Sequence, residues 1–213
     1  MKSIVVIDYG ISNILSVVRA FEYCGATVKI TDSPLDVAHA DSLVLPGVGA
    51  FGDGMKGLRD KHLIEPIREY SLKGKPFLGI CLGMQMMMES SDEFSYNSGL
   101  GIIPGTVQKI PGAGQDGMQH KIPHIGWNEL IATGGAGWSG TILNGLNPAT
   151  AMYFVHSFVS MPVHATHRLA NCDYDGLLLS AVVRKENLYG CQFHPEKSGQ
   201  MGLRIIKNFI QLD

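Results

Sequence analysis

The chain has 213 residues, 45% of them apolar, and a formal net charge of −2 with no basic cluster. That length can close one sizeable core over 1–213 with no linker dividing it, and the charge argues against nucleic acid or an anionic membrane surface as a partner. No apolar run reaches membrane-spanning length, the Met1-Lys2-Ser3-Ile4 start is unlike a secretory leader, and Cys24, Cys81, Cys172 and Cys191 form no C-x-x-C pair. A cytoplasmic protein with free thiols is expected.

Ile4 to Asp8 is a near-continuous apolar run, which predicts a strand buried on both faces of a parallel sheet. Asp8-Tyr9-Gly10 turns the chain, Ser12 or Asn13 can cap a helix, and Ile14, Val17, Val18 and Phe21 keep helical spacing until Gly25 ends it. Thr27 to Thr31 and Ser42 to Leu45 predict two more strands, and Glu65 to Leu72 a helix. Strand alternating with helix predicts an α/β fold whose sites lie at the strands' carboxyl ends. After residue 100 glycine and proline become frequent, and Met152 to Val159 and Leu177 to Val183 read as strands. A β-rich half is expected there, continuing the same sheet or laid against it. Gln115 to Gln119 reads as a mobile loop, and a last helix over Met201 to Ile210 is expected to turn Leu203, Ile206 and Ile210 inward.

Gly47-x-Gly49-x-x-Gly52 follows the third strand and matches a dinucleotide fingerprint in spacing alone. That pattern belongs to the first βα turn and needs an acidic residue ending the next strand, whereas Glu69 falls within a predicted helix. Gly54 and Gly57 are also expected to weaken any helix after the loop. The better reading is an exposed backbone segment offering N–H groups from Val48 or Gly49 to a developing oxyanion.

Pro76 to Ile80 reads as a buried strand, Gly79-Ile80-Cys81-Leu82-Gly83 as a sharp turn, and Met84 to Glu89 as a helix. A nucleophile on such a turn projects from the sheet edge, and the flanking glycines avoid collision as the chain reverses. The helix start favours a thiolate at Cys81 and brings the Leu82 N–H to the same spot. A lone cysteine in an apolar run is more often core packing. Gln192-Phe193-His194-Pro195-Glu196, after the strand-like Leu188 to Cys191, tips the balance. Proline is expected to hold the link extended with His194 and Glu196 on one side, giving nucleophile, base and orienter. His164-x-x-His167 lacks a third ligand and is not read as a metal site.

With both motifs the chain resembles the class I (triad) glutamine amidotransferases. Asp8-Tyr9-Gly10 with Asn13, Pro46 to Gly49, Pro123-His124-Ile125-Gly126-Trp127-Asn128 and Tyr153 to Ser157 are similar, within that class, to the glutaminase subunits of imidazole glycerol phosphate synthase. The resemblance runs nearly end to end. It implies a flavodoxin-like sheet, hydrolysis of glutamine by Cys81, His194 and Glu196, and oxyanion donors at Leu82, Val48 and Gly49. It further implies that Gly47, Gln85, Glu93 and the His156-Ser157-Phe158 backbone bind glutamine, that no metal or cofactor is used, and that ammonia passes to a (β/α)₈ synthase subunit in a heterodimer. Trp127, Asn128, Tyr153 and Lys197 match positions facing that partner; without the resemblance, Trp127 and Tyr153 would read as packing residues. Two departures stand out: Ser12 where these subunits usually carry glycine, and added length around 112–120 and 134–140. Paralogues feeding sugar amidotransferases, and a stand-alone cysteine amidase, are the alternative readings.

Overall fold

The computed structural model describes residues 2–10, 13–134 and 137–212. In chain order the elements are β1 (Ser3–Ile7), α1 (Ile14–Tyr23), β2 (Thr27–Thr31), α2 (Pro34–His39), β3 (Leu43–Gly47), α3 (Phe51–Asp60), α4 (Ile64–Ser71), β4 (Phe77–Cys81) and α5 (Leu82–Met86). There follow β5 (Ser90–Ser91), β6 (Asn97–Ser98), β7 (Gly105–Lys109), β8 (His124–Glu129), β9 (Ile131–Ala132), β10 (Ala151–His156), β11 (Phe158–Pro162), β12 (Arg168–Tyr174), β13 (Leu177–Lys185), β14 (Leu188–Cys191) and α6 (Gly199–Ile210).

One eight-stranded sheet runs β2-β1-β3-β4-β14-β13-β12-β9. Its first five strands are parallel and the last three antiparallel, so the β-rich half does continue the sheet. It also lies against it, as the pair β10-β8 and the small sheet β11-β7-β5-β6. Side chains alternate across β1: Ile4 and Val6 join a core with Val17, Phe21 and Phe209, while Val5 and Ile7 join another with Leu45, Phe51, Tyr70 and Phe77. Helices α1 and α6 therefore cover one face, with Phe21 edge-on to Phe209 at 6.1 Å, and α3 and α4 the other. Each fully buried aromatic of this kind stabilises by roughly 1.5–3 kcal/mol.

Several local expectations need correction. A ten-residue α3 forms after the glycine loop, because Gly54 and Gly57 serve close packing: a Cβ on Gly54 would lie 2.7 Å from the Met86 sulfur, and one on Gly57 2.6 Å from the Tyr9 carbonyl oxygen. Tertiary contact outweighs the cost of glycine in a helix. The helix after Cys81 starts at Leu82 and ends at Met86, too short for the dipole expected of a run to Glu89. Met152 to Val159 is two strands broken at Ser157. In α6 the fully buried side chains are Ile205, Ile206 and Phe209, with Leu203 and Ile210 only partly buried. Asn13 stands at the start of α1, but its Oδ1 accepts from Ser16 Oγ at 3.2 Å and no backbone N–H is capped. Ser12 lies outside the described residues. Gly10 and Gly25 take positive φ (92° and 91°) where the turns were expected.

Candidate active site

The register across β3 and β4 sets Gly47 directly opposite Cys81, and β14 on the other side of β4 sets Cys191 opposite Ile80. The chain leaving β14 is therefore delivered, as Gln192 to His194, to the carboxyl edge where Cys81 sits. Cys81 itself has φ 54° and ψ −111°, a strained conformation for a residue with a Cβ. The reversal is steric in origin. A Cβ on Gly83 would lie 1.8 Å from the Leu45 carbonyl oxygen, and one on Gly79 2.7 Å from the Met84 nitrogen.

His194 and Cys81 line the same cavity, and His194 Nδ1 lies 2.8 Å from Glu196 Oε1. With Nδ1 committed to the carboxylate, Nε2 is the nitrogen that faces sulfur. Burial alone would depress the imidazole, but the hydrogen bonds and charges of Cys81 and Glu196 outweigh it and lift His194 from 6.5 to about 9. The surroundings thus favour the imidazolium form of His194. The link between the two residues is not extended as expected: Pro195 to Lys197 form a single 3₁₀ turn, which brings Glu196 back toward the ring. Glu196 Oε2 is buried without a hydrogen-bond partner among the described residues, so the carboxylate has Nδ1–H as its counterpart. Burial raises the thiols of Cys191 and Cys172, the latter to about 12, and keeps both neutral.

A cavity of about 300 Å³ opens over Cys81 and His194. Val48, Gly49, Leu82, Gln85, Glu93, His156, Ser157 and Phe158, all singled out in the sequence, line it together with Pro123 and Val155. Gly47 lies beneath, so tight against Tyr9 Oη, Leu82 and Gly83 that any Cβ would collide. Glu93 Oε2 accepts the Phe51 N–H at 2.6 Å, fixing the start of α3 just after the Val48-Gly49 loop and leaving Oε1 for the cavity. Gln85 Nε2 donates to the Phe158 carbonyl and to Gln192 Oε1, both at 3.1 Å.

Two residues at the site carried no assigned role in the sequence. Gln192 Nε2 donates to Cys81 Sγ at 3.8 Å, and Tyr9 Oη donates to the Pro46 carbonyl at 2.9 Å, anchoring the strand that leads into the loop. Burial lifts the Tyr9 phenol well above its ordinary 10, so it remains a donor. Neither contact is a matter of spacing; each depends on which strands are neighbours.

Trp127, Asn128, Tyr153 and Lys197 are not among the residues that line the cavity. Trp127 is 59% exposed, which sets aside the packing reading, and its ring meets Tyr153 at 6.0 Å across the β8–β10 pair. Lys197 is exposed and Asn128 half-buried. His164 and His167 lie ring to ring at 5.1 Å, and no group of three metal-ligating side chains occurs among the described residues.

The profile of the glutamine amidotransferase class-I family matches residues 5–212. The chain belongs to that family. This amidotransferase is 55% identical over 213 residues to imidazole glycerol phosphate synthase subunit HisH 1 of Legionella pneumophila (strain Lens), covering all of both chains, so the stretches at 112–120 and 134–140 lie within the shared length. It is 47% identical over 207 residues to the HisH subunit of Syntrophotalea carbinolica, covering 97% of this chain and 98% of that one. Among solved structures, PurLQS from Thermotoga maritima has a chain similar in fold at a TM-score of 0.73 and 19% identity, covering 98% of this amidotransferase and 97% of that chain. Another glutamine amidotransferase structure matches at 0.72 and 17%, covering 97% of both chains. No helix among the described residues of the amidotransferase is long and apolar enough to cross a membrane.

Proposed function

We propose that this chain is a glutaminase subunit that hydrolyses L-glutamine to glutamate and ammonia and feeds the ammonia to a (β/α)₈ synthase subunit making imidazole glycerol phosphate in histidine biosynthesis. The observation that carries the chemistry is the meeting in one cavity of Cys81, on its strained turn, and His194, which is held in turn by Glu196 at 2.8 Å. The relatives named HisH, aligned over essentially the whole chain, carry the choice of pathway. The chain acts as a single amidotransferase domain in the cytoplasm, with the synthase as its heterodimer partner.

In the reaction the Cys81 thiolate attacks the side-chain amide carbon of glutamine, and the oxyanion is received by the N–H groups of Leu82 and the Val48-Gly49 segment. His194 gives its Nε2 proton to the departing ammonia, leaving a thioester on Cys81. A water that loses its proton to His194 then attacks the thioester and releases glutamate, restoring thiolate and imidazolium. Gln85, Glu93, Gly47 and the His156-Ser157-Phe158 backbone hold the amino-acid end of the substrate. Trp127, Asn128, Tyr153 and Lys197 face the synthase.

The test is to reconstitute the subunit with the synthase and replace Cys81 by Ser. Synthesis from glutamine is expected to vanish while synthesis from added ammonium salt persists. Retention of glutamine-dependent synthesis would overturn the assignment of the nucleophile.

A further inference from the structure

The inner face of the β8–β10 pair holds two buried histidines that the mechanism leaves without a role for their side chains. His124 and His156 are register partners, and His124 Nδ1 lies 2.9 Å from His156 Nε2. His156 Nδ1 lies 2.9 Å from the Phe158 carbonyl oxygen. A carbonyl only accepts, so Nδ1 of His156 carries its proton and Nε2 is the lone-pair nitrogen. The proton between the rings therefore belongs to His124 Nδ1, and His124 Nε2 must accept. Its donor is at hand: Asn128 Nδ2 lies 3.3 Å away, with Asn128 Oδ1 oriented by the Glu129 N–H at 2.8 Å.

Every hydrogen bond in this line points the same way, from Asn128 through His124 and His156 to the Phe158 carbonyl. That carbonyl also accepts from Gln85 Nε2, so both its lone pairs are committed. The line holds only if both rings are neutral, and burial presses each down from 6.5 to about 4. The plane of His124 is fixed as well, by Phe154 at 5.1 Å and Tyr174 at 4.2 Å, with His120 behind Tyr174 at 4.6 Å. His120 is itself held between Asp175 and the Pro111 carbonyl.

We infer that His124 is a positioning residue of the substrate pocket: as the Nδ1–H tautomer it locks His156, and through His156 it fixes the Phe158 carbonyl and Gln85 against the amino-acid end of glutamine. The inference deepens the glutaminase reading and rests on it for the identity of the ligand. Its outer end, Asn128, adjoins the exposed Trp127 face, so the relay joins that face to the pocket through four residues.

The experiment uses the full chain carrying Cys81→Ser, which prevents turnover, with glutamine affinity read by calorimetry and histidine tautomers by nitrogen-15 NMR. Asparagine places its amide where the histidine Nδ1–H stands, so His124→Asn keeps the donor and His124→Leu removes it. The expected result is a glutamine affinity weakened at least fivefold by His124→Leu and less than twofold by His124→Asn, with His124 and His156 both protonated at Nδ1 in the parent. Equal affinities in the two variants, whether both retained or both lost, would overturn the inference, as would His156 protonated at Nε2 in the parent. If the parent binds no glutamine, the glutaminase reading fails, and the tautomers still decide the relay.

Discussion

At Cys81 the backbone and the side chain have opposite requirements, and the flanking glycines reconcile them. The φ of 54° costs on the order of 1–3 kcal/mol and persists only because the neighbours over-determine it. Gly83→Ala would put a Cβ 1.8 Å from the Leu45 carbonyl, a backbone atom that cannot turn away. A loss of several degrees or more in melting temperature, or no soluble protein, is expected by thermal unfolding. A variant as stable and active as the parent would mean that the turn is looser than described. The His194 side chain sets the pH behaviour of the same site. Its folded-state value of about 9 lies above the 6.5 of an unfolded histidine, so the stability it contributes is fully present below pH 6.5 and disappears as pH rises through 9. In the proposed reaction the Nε2 proton goes to departing ammonia, so glutamine turnover is expected to decline over the same alkaline window, and a pH–rate profile flat through pH 9 would contradict this.

At the level of elements, α3 shows what spacing and propensity could not convey. Gly54 and Gly57 read as helix-weakening residues, yet they let ten residues of helix lie against Tyr9, Leu82 and Met86. Gly57→Ala should gain about 1 kcal/mol of helix propensity in isolation. In this fold its Cβ would press on the Tyr9 carbonyl, and Tyr9 holds Pro46 at the entrance to the Val48-Gly49 loop. A net loss of stability together with slower turnover is expected, measured by denaturant unfolding and glutamate release; a stabilised, fully active variant would refute the coupling. The β8–β10 ribbon carries a second prediction. Its two histidines bind fewer protons folded than unfolded between pH 4 and 6.5, so stability is complete above pH 6.5 and falls as pH drops toward 4. Melting temperature against pH should show this slope, flattened in His124→Asn. The apolar strands, the Cys81 turn and the His194 segment were legible because each is a local pattern. The six-residue α2, the break at Ser157, the 3₁₀ turn at Pro195 and the contacts of Gln192, Tyr9 and His124 were not, because each depends on which distant segment lies alongside.

On the scale of the whole molecule, the parallel half of the sheet supplies the reactive edge and the β-rich half supplies the rest of the pocket and an exposed aromatic face. Tyr153 joins them: its carbonyl accepts the His194 N–H at 3.1 Å, and its own N–H donates to Ser198 Oγ at 3.0 Å. Contact at the Trp127–Tyr153 face is thus one backbone hydrogen bond away from His194, the proposed base. Trp127→Ala is expected to leave the melting temperature of the free subunit within about 2 °C while weakening synthase binding at least tenfold, because an exposed tryptophan contributes little to folding and much to an interface. Unchanged binding would move the interface elsewhere. The central claim, that Cys81 attacks glutamine in this cavity, is tested most directly by intact mass measurement after treatment with diazo-oxo-norleucine, a glutamine-shaped electrophile. The expected result is a single adduct in the parent and none in Cys81→Ala; no adduct in the parent, or one that survives the substitution, would contradict it.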